Sequence, residues 1–251
     1  MAEIVKTNRG HRLTKFGVID TAADAIQEGE IKDLEAVAGS IRNLFKQAKF
    51  KEKNVAISIG GYSVIVKKIN IQRMPEDQLQ ETIHFEAEQY IPFDINDVNL
   101  DFQIFEQSEN NPDQMSVLLV AAKQEMINSY IDLIQMAGLH PSIIDVDAFS
   151  LQNIFELNYD IKPGNAALVD IGASKTSLNV LRGASSEFIR DIPVGCDQIN
   201  QQIISHLDCS AEESEKLKFG KDPDKISPED LLGKMTLRKQ ELNLQKPPGE
   251  R

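Results

Sequence analysis

Tryptophan is absent from this 251-residue chain, and cysteine occurs only twice, at Cys196 and Cys209. Two thiols cannot build a disulfide framework, so both are expected as small, partly buried side chains in a reducing compartment. No apolar run approaches the length of a membrane span. The opening residues MAEIVKTNRGHRL hold no apolar core of a secretory signal. A cytosolic protein is expected, with any hold on a membrane made through a partner. Basic residues are the minority charge: 27 Lys and Arg against 39 Asp and Glu leave a net charge of -12. That balance argues against broad nucleic-acid binding, which needs clustered Lys and Arg. Between Arg73 and Lys123 there is no Lys or Arg at all. The histidines His11, His84, His140 and His206 share no ligand spacing, so no metal cluster is expected. No Ser-His-Asp or Cys-His arrangement can be inferred, and paired-carboxylate glycosidase chemistry has no support beyond the number of acidic residues.

What is present reads as a globular α/β chain. A hydrophobic content of 41% is enough to bury a real core. Its length suits one large domain or two small ones. AEIVKTNRGHRLTKFGVI predicts two strands around an Asn-Arg-Gly turn. Asp33 is the expected N-cap of a helix whose stripe is Leu34, Val37, Ala38, Ile41, Leu44 and Phe45. NVAISIG predicts a buried strand closed by Gly60-Gly61, and SVIVKKINI a second strand. Pro75 suits the first position of a helix, with Glu76 and Asp77 at its positive end. Leu79, Ile83, Ala87 and Tyr90 continue that helix until Pro92 stops it. In VNLDFQI, Val98, Leu100, Phe102 and Ile104 alternate with Asn99, Asp101 and Gln103, which predicts a strand with one wet face. ENNPDQ is a turn and SVLLVAA a buried strand. A helix bearing Ile127, Tyr130, Ile131 and Ile134 then runs to a C-cap at Gly138. Residues 74–138 are thus expected to form one compact α+β unit with its own core.

An α/β pattern returns with the strand SIIDV, a helix opened by Asp147, three strands across residues 165–195, and a helix near DQINQQIISHL. The strand–Arg-Gly–strand rhythm of TSLNVLRGASSEFIRDIPVG echoes the first residues of the chain, a loose internal repeat. Beyond Cys209 the composition turns polar. Ser227, Pro228 and Asp230 mark a helix start there, and KPPGER reads as an end without a fold.

Two places carry possible chemistry. In VDIGASKT, Asp170 ends a strand, Gly172 lets backbone N–H groups approach an anion, and Ser174 and Thr176 offer hydroxyls, an arrangement that suits a phosphate. Asp170 could hold a metal-bound water beside it. The same residues also suit a plain turn between strands. Asp147, at a strand-to-helix junction, and Gly195, before a helix N-terminus, stand where α/β folds bind ligands. The second place is the seam of Tyr90, Ile91, Pro92 and Phe93, flanked by Glu86, Glu88, Asp94 and Asp97.

The stretches GEIKDLEAVAGSIRNLF, FEAEQYIPFDINDVNLDFQIF, LLVAAKQEMINSYIDLIQMAGLHPSIIDVDAFSLQNIF and ALVDIGASKTSLNVL together resemble the PilM family of type IV pilus assembly proteins, over about residues 3–220. The resemblance implies an actin-like ATPase fold, similar to that of the cell-division protein FtsA, built from a duplicated ribonuclease-H-like unit. It implies a first subdomain over residues 1–73 without its first strand, an inserted 1C-like subdomain over 74–138, a return over 139–162, a second subdomain over 163–220 and an atypical tail over 221–251. Such a chain is expected to be truncated at both ends, or frame-disrupted, lacking the family's first phosphate loop and its last subdomain. The resemblance further implies ATP and Mg2+ at Asp147, Asp170, Gly172, Ser174, Thr176 and Gly195. With one phosphate loop missing, weak or no ATP binding is expected. The partner it implies is the cytoplasmic N-terminal peptide of a PilN-like inner-membrane protein, held between the first subdomain and 1C at Tyr90, Ile91, Pro92, Phe93, Asp94 and Asp97. Pilus motor ATPases are further candidate partners, and the location is peripheral to the inner membrane. Two functions compete: a peptide-binding scaffold, and an ATP-hydrolysing or filament-forming enzyme of the actin-like group.

Overall fold

A computed structural model describes residues 1–8, 10–22, 25–27, 30–105, 113–160 and 164–219. They divide into a unit Met1–Val194 and a second that starts at Gly195. In chain order the first unit holds β1 (Ala2–Thr7), β2 (Gly10–Phe16), β3 (Ile26–Gln27), β4 (Glu30–Ile31), α1 (Leu34–Gln47), β5 (Asn54–Ile59), β6 (Val64–Gln72), α2 (Glu76–Ala87), a 3-10 turn (Ile95–Asp97), β7 (Val98–Phe105) and β8 (Gln114–Lys123). It continues with α3 (Gln124–Met136), β9 (His140–Val146), α4 (Asp147–Asn158), β10 (Asn165–Ile171), β11 (Thr176–Arg182) and β12 (Ser185–Ile192).

Local signals place most of these. β1 and β2 pair antiparallel, and Gly10 takes the positive φ of +108° that the reversal requires; Arg9 of the expected turn lies outside the described residues. Asp33 caps α1, its side chain accepting from the Ala36 N–H, and the predicted stripe buries Val37, Ala38 and Leu44. Gly138, at φ +80°, ends α3 with its N–H on Gln135 O. The short pair β3–β4 was not predicted, since two residues per strand carry no period.

α2 departs from expectation at both ends. Pro75 is its N-cap and not its first residue. The helix stops at Ala87, well before Pro92, and the N–H groups of Tyr90 and Ile91 fold back onto Ala87 O. A helical backbone at Ile91 would clash with the Pro92 ring, and the released chain places Ile91 in the core at 6% exposure.

The central α+β grouping also differs from the expected 74–138. Its sheet has the order β6-β8-β7, all antiparallel, so β6, upstream of residue 74, is an edge of it. Ile69, Ile71, Leu79, Ile83, Val98, Met115, Val117 and Leu119 share one core under α2. α3 lies in another: Leu133, Ile134 and Ala137 pack with Val37 and Ala38 of α1. Both helices are amphipathic, and an apolar stripe does not say which neighbour it meets. VNLDFQI alternates as predicted, with Asn99, Asp101 and Gln103 exposed.

β5 pairs parallel with β9. NVAISIG, expected to be buried throughout, is covered fully only at Ile59, because its one pairing partner among the described residues is β9. β10, β11 and β12 form the three-stranded antiparallel sheet that the sequence predicted. A buried polar network joins this sheet to α4. Asn179 Nδ2 donates to Ala148 O at 3.3 Å and to Gln152 Oε1 at 3.2 Å, and the Ser186 hydroxyl donates to the same Gln152 oxygen at 2.6 Å.

The second unit contains α5 (Cys196–Leu207) and α6 (Ala211–Lys218), tied by Asn200 Nδ2 donating to Glu215 Oε2 at 2.7 Å. α6 was missed in the polar composition after Cys209. Its signal was the capping box of Ser210 and Glu213. The tail from residue 220, with the expected helix start at Ser227, and residues 106–112 of the expected turn lie outside the described residues.

Asn179→Leu should cost about 1–3 kcal/mol, because it removes the buried Asn179 bonds to Ala148 O and Gln152 Oε1 and the one it accepts from the Ser186 hydroxyl, leaving only the Ser186–Gln152 bond of the network. Urea unfolding measures this, with the exposed Leu157→Ala as a control that stays within about 0.5 kcal/mol.

Candidate functional site

Because β5 and β9 run parallel, their C-terminal ends meet, with Ile59 opposite Val146. Gly60 and Asp147 follow directly and become neighbours. Asp191, near the end of β12, lies opposite Ser177 of β11. The β10–β11 turn delivers Lys175, and the turn closes on itself through Gly172 N–H to Lys175 O at 2.9 Å. Lys175 Nζ then sits 3.1 Å from Asp147 Oδ2 and 3.1 Å from Asp191 Oδ2. The same Asp191 oxygen accepts from the Gly61 N–H at 2.5 Å. A Cβ on Gly60 would run into both Asp147 Oδ2 and Lys175 Nζ, so only glycine leaves room for this cluster.

Burial opposes the charge on Asp191, but hydrogen bonds from Ser177 and Lys175 and the Lys175 charge outweigh it, and its pKa falls below the ordinary 3.8. Burial likewise opposes the charge on Lys175, and its two carboxylate partners outweigh it, raising its pKa above the ordinary 10.5. Asp147, Asp191, Gly60 and Gly61 of the cluster line a cleft of about 820 Å3, whose walls also include Tyr62, Val66, Phe188 and Pro193.

The predicted phosphate site is only partly assembled here. Asp147 is in the cluster. Asp170 is exposed at the end of β10 and does not line the cleft, and Ser174 is exposed on the turn. The Gly172 N–H is committed to Lys175 O, and the Thr176 hydroxyl donates to Val194 O at 2.6 Å. Gly195 heads α5 in the second unit. Among the described residues no group of three or more His, Cys, Asp or Glu could hold a metal ion. Asp147, the Gly172 N–H and the Thr176 hydroxyl are thus engaged with the protein itself, and in this arrangement they do not fit a nucleotide phosphate and its Mg2+. Sequence reasoning passed over Lys175, Asp191 and Gly60. Lys175 stood inside the quoted motif, but nothing local tied it to residues 28 and 16 positions away.

The seam has a clear geometry. Ile91 is core, while Tyr90 and Phe93 are half-buried against the same core. Pro92, Glu88, Asp94 and Asp97 are exposed. Asp94 caps the 3-10 turn, accepting from Asn96 N–H at 2.9 Å. Lys67 of β6 lies 5.0 Å from the Tyr90 ring centroid, and Lys123 of β8 lies 4.6 Å from that of Phe93. The stretch without Lys or Arg therefore does not produce a face without them.

The model of the family described as type IV pilus assembly protein PilM matches residues 1–233. The chain belongs to the PilM family. A solved PilM–PilN type IV pilus biogenesis complex is similar to it with a TM-score of 0.77 and 26% identity, over 98% of this chain and 75% of that one. The fold is accordingly the actin-like α/β class. The cell division protein FtsA of Bacillus subtilis (strain 168) is 22% identical over 229 residues, 82% of this chain and 52% of that protein. The chain thus spans about half the length of this curated relative. No helix among the described residues is long and apolar enough to cross a membrane.

Lys175→Met should lower stability by about 1–2 kcal/mol at neutral pH, a modest cost because partial exposure screens the cluster. The depressed Asp191 pKa makes its contribution complete above 3.8 and lost as pH falls through the folded value. The raised Lys175 pKa makes its contribution complete below 10.5 and lost as pH rises through the folded value. The difference between wild type and variant, followed by denaturant melts, should be flat between these limits and shrink beyond both.

Proposed function

We propose that this chain is a scaffold of type IV pilus assembly that binds the cytoplasmic N-terminal peptide of a PilN-like inner-membrane protein. The observation that carries the reading is the likeness, along 98% of the chain, to a PilM–PilN complex. The seam supports it: a surface of Tyr90, Pro92 and Phe93 lies beside the exposed carboxylates of Glu88, Asp94 and Asp97. Juxtamembrane cytoplasmic segments tend to be basic, and these carboxylates would speed their approach. Lys67 and Lys123 cover the two rings, so an incoming apolar anchor displaces an ammonium before it meets an aromatic face. Through this partner the protein would sit peripherally on the inner membrane, near the pilus motor ATPases. The ATP-hydrolysing reading draws on the cleft and the DIGAS turn. The internal engagement of Gly172, Lys175 and Thr176 weighs against it.

Surface plasmon resonance with a basic, apolar-anchored PilN-type peptide tests the scaffold. Replacing Asp94 and Asp97 together by Asn keeps the cap and should slow association about three- to tenfold at low salt, with little change at high salt. Phe93→Ala should both lower the melting temperature and weaken binding, since the ring serves core and surface. Unaltered peptide binding in both proteins would place the dock elsewhere, and micromolar ATP binding by calorimetry in the same preparation would favour the enzyme.

A further inference from the structure

Two carboxylates that converge inside a cleft need a counter-ion. Asp147 comes from the β9–α4 junction and Asp191 from β12, and each turns its Oδ2 toward one point, 3.1 Å from a single ammonium. That ammonium arrives from a third element, the β10–β11 turn. A fourth, the β5–β6 turn, gives up a side chain at Gly60 to leave the space and supplies the Gly61 N–H to the Asp191 oxygen that Lys175 also contacts. The side chains are 28%, 33% and 17% exposed for Lys175, Asp147 and Asp191, so the cluster is sheltered and still reachable by an ion.

We propose that Lys175 is the chain's own cation at this position, holding the place that a divalent metal would otherwise take between Asp147 and Asp191 and making the cleft independent of Mg2+. Oxygen pairs of this kind suit a hard divalent cation as well as an ammonium, but the two cannot share the point. The tether decides between them, because a group carried on the same chain acts at an effective concentration of millimolar or more without leaving solution. The resemblance to the PilM family implied Mg2+ among residues that include Asp147 and Asp170, and at Asp147 an ammonium already holds the place. Removing the ammonium should convert the pair into a metal site. The inference stands apart from the peptide reading, whose seam lies elsewhere in the fold.

The test uses the full chain as wild type, Lys175→Met and the double variant Lys175→Met with Asp191→Asn. Mn2+ is the probe, its uptake counted by the loss of the free-ion electron paramagnetic resonance signal and its effect followed by thermal melts. Wild type should take up no Mn2+ at this point below millimolar concentrations, and its melt should not move. Lys175→Met should bind one Mn2+ at least about tenfold more tightly than wild type and melt higher when Mn2+ is added. The double variant should lose both effects. If Lys175→Met melts without cooperativity, Lys175→Gln takes its place, with the Mn2+-dependent rise in melting temperature as the readout. Wild type binding Mn2+ as tightly as the single variant, or a folded single variant that binds none, overturns the proposal.

Discussion

One ammonium between two carboxylates ties together three separate elements of the first unit. Lys175, Asp147 and Asp191 lie on separate elements, and the Gly60-Gly61 turn closes around them. The cluster can form only because β5 and β9 run parallel and finish at one level. It depends as well on Asn179, Gln152 and Ser186, which fix α4 on the β10–β12 sheet from behind. A wet ion cluster thus rests on a dry network of neutral groups. Each compensates the cost of burying the polar atoms that hold these layers together.

The β6-β8-β7 sheet answers a different constraint. β8 is paired on both sides and buried on both faces, so its two neighbours and α2 must cover it. On one face the apolar residues of β6, β7 and β8 meet α2. On the other, Lys68 of β6 reaches Glu187 of β12 at 2.9 Å, where this sheet meets the β10–β12 sheet. The seam after α2 is a by-product of the same packing. Ile91 is drawn into the core, and Tyr90 and Phe93 are left half outside, their rings covered by Lys67 and Lys123.

Local chemistry made much of this legible in advance. A capping aspartate, a C-terminal glycine and strict alternation act over a few residues, so α1, the end of α3 and β7 stand where they were expected. The capping box of α6 was equally local and was overlooked because the surrounding composition is polar. Where the expectation departed, the cause was a choice among neighbours. α3 carries an apolar stripe that would suit the core under α2, yet it packs on α1, and β6 joins a sheet to which its sequence position did not assign it.

By itself the sequence determined the family, the order of the longer elements before Cys209, the acidic balance and the cap of α1, because these follow from residue types and short spacings. Only the tertiary structure decided what faces what. It set Lys67 and Lys123 over a seam that has no Lys or Arg nearby in the chain. It turned Lys175, one residue of a loop that read as a phosphate turn, onto two distant aspartates. Electrostatic partners are chosen by distance in space, and over separations of 16 or 28 residues the chain carries no local period that records them.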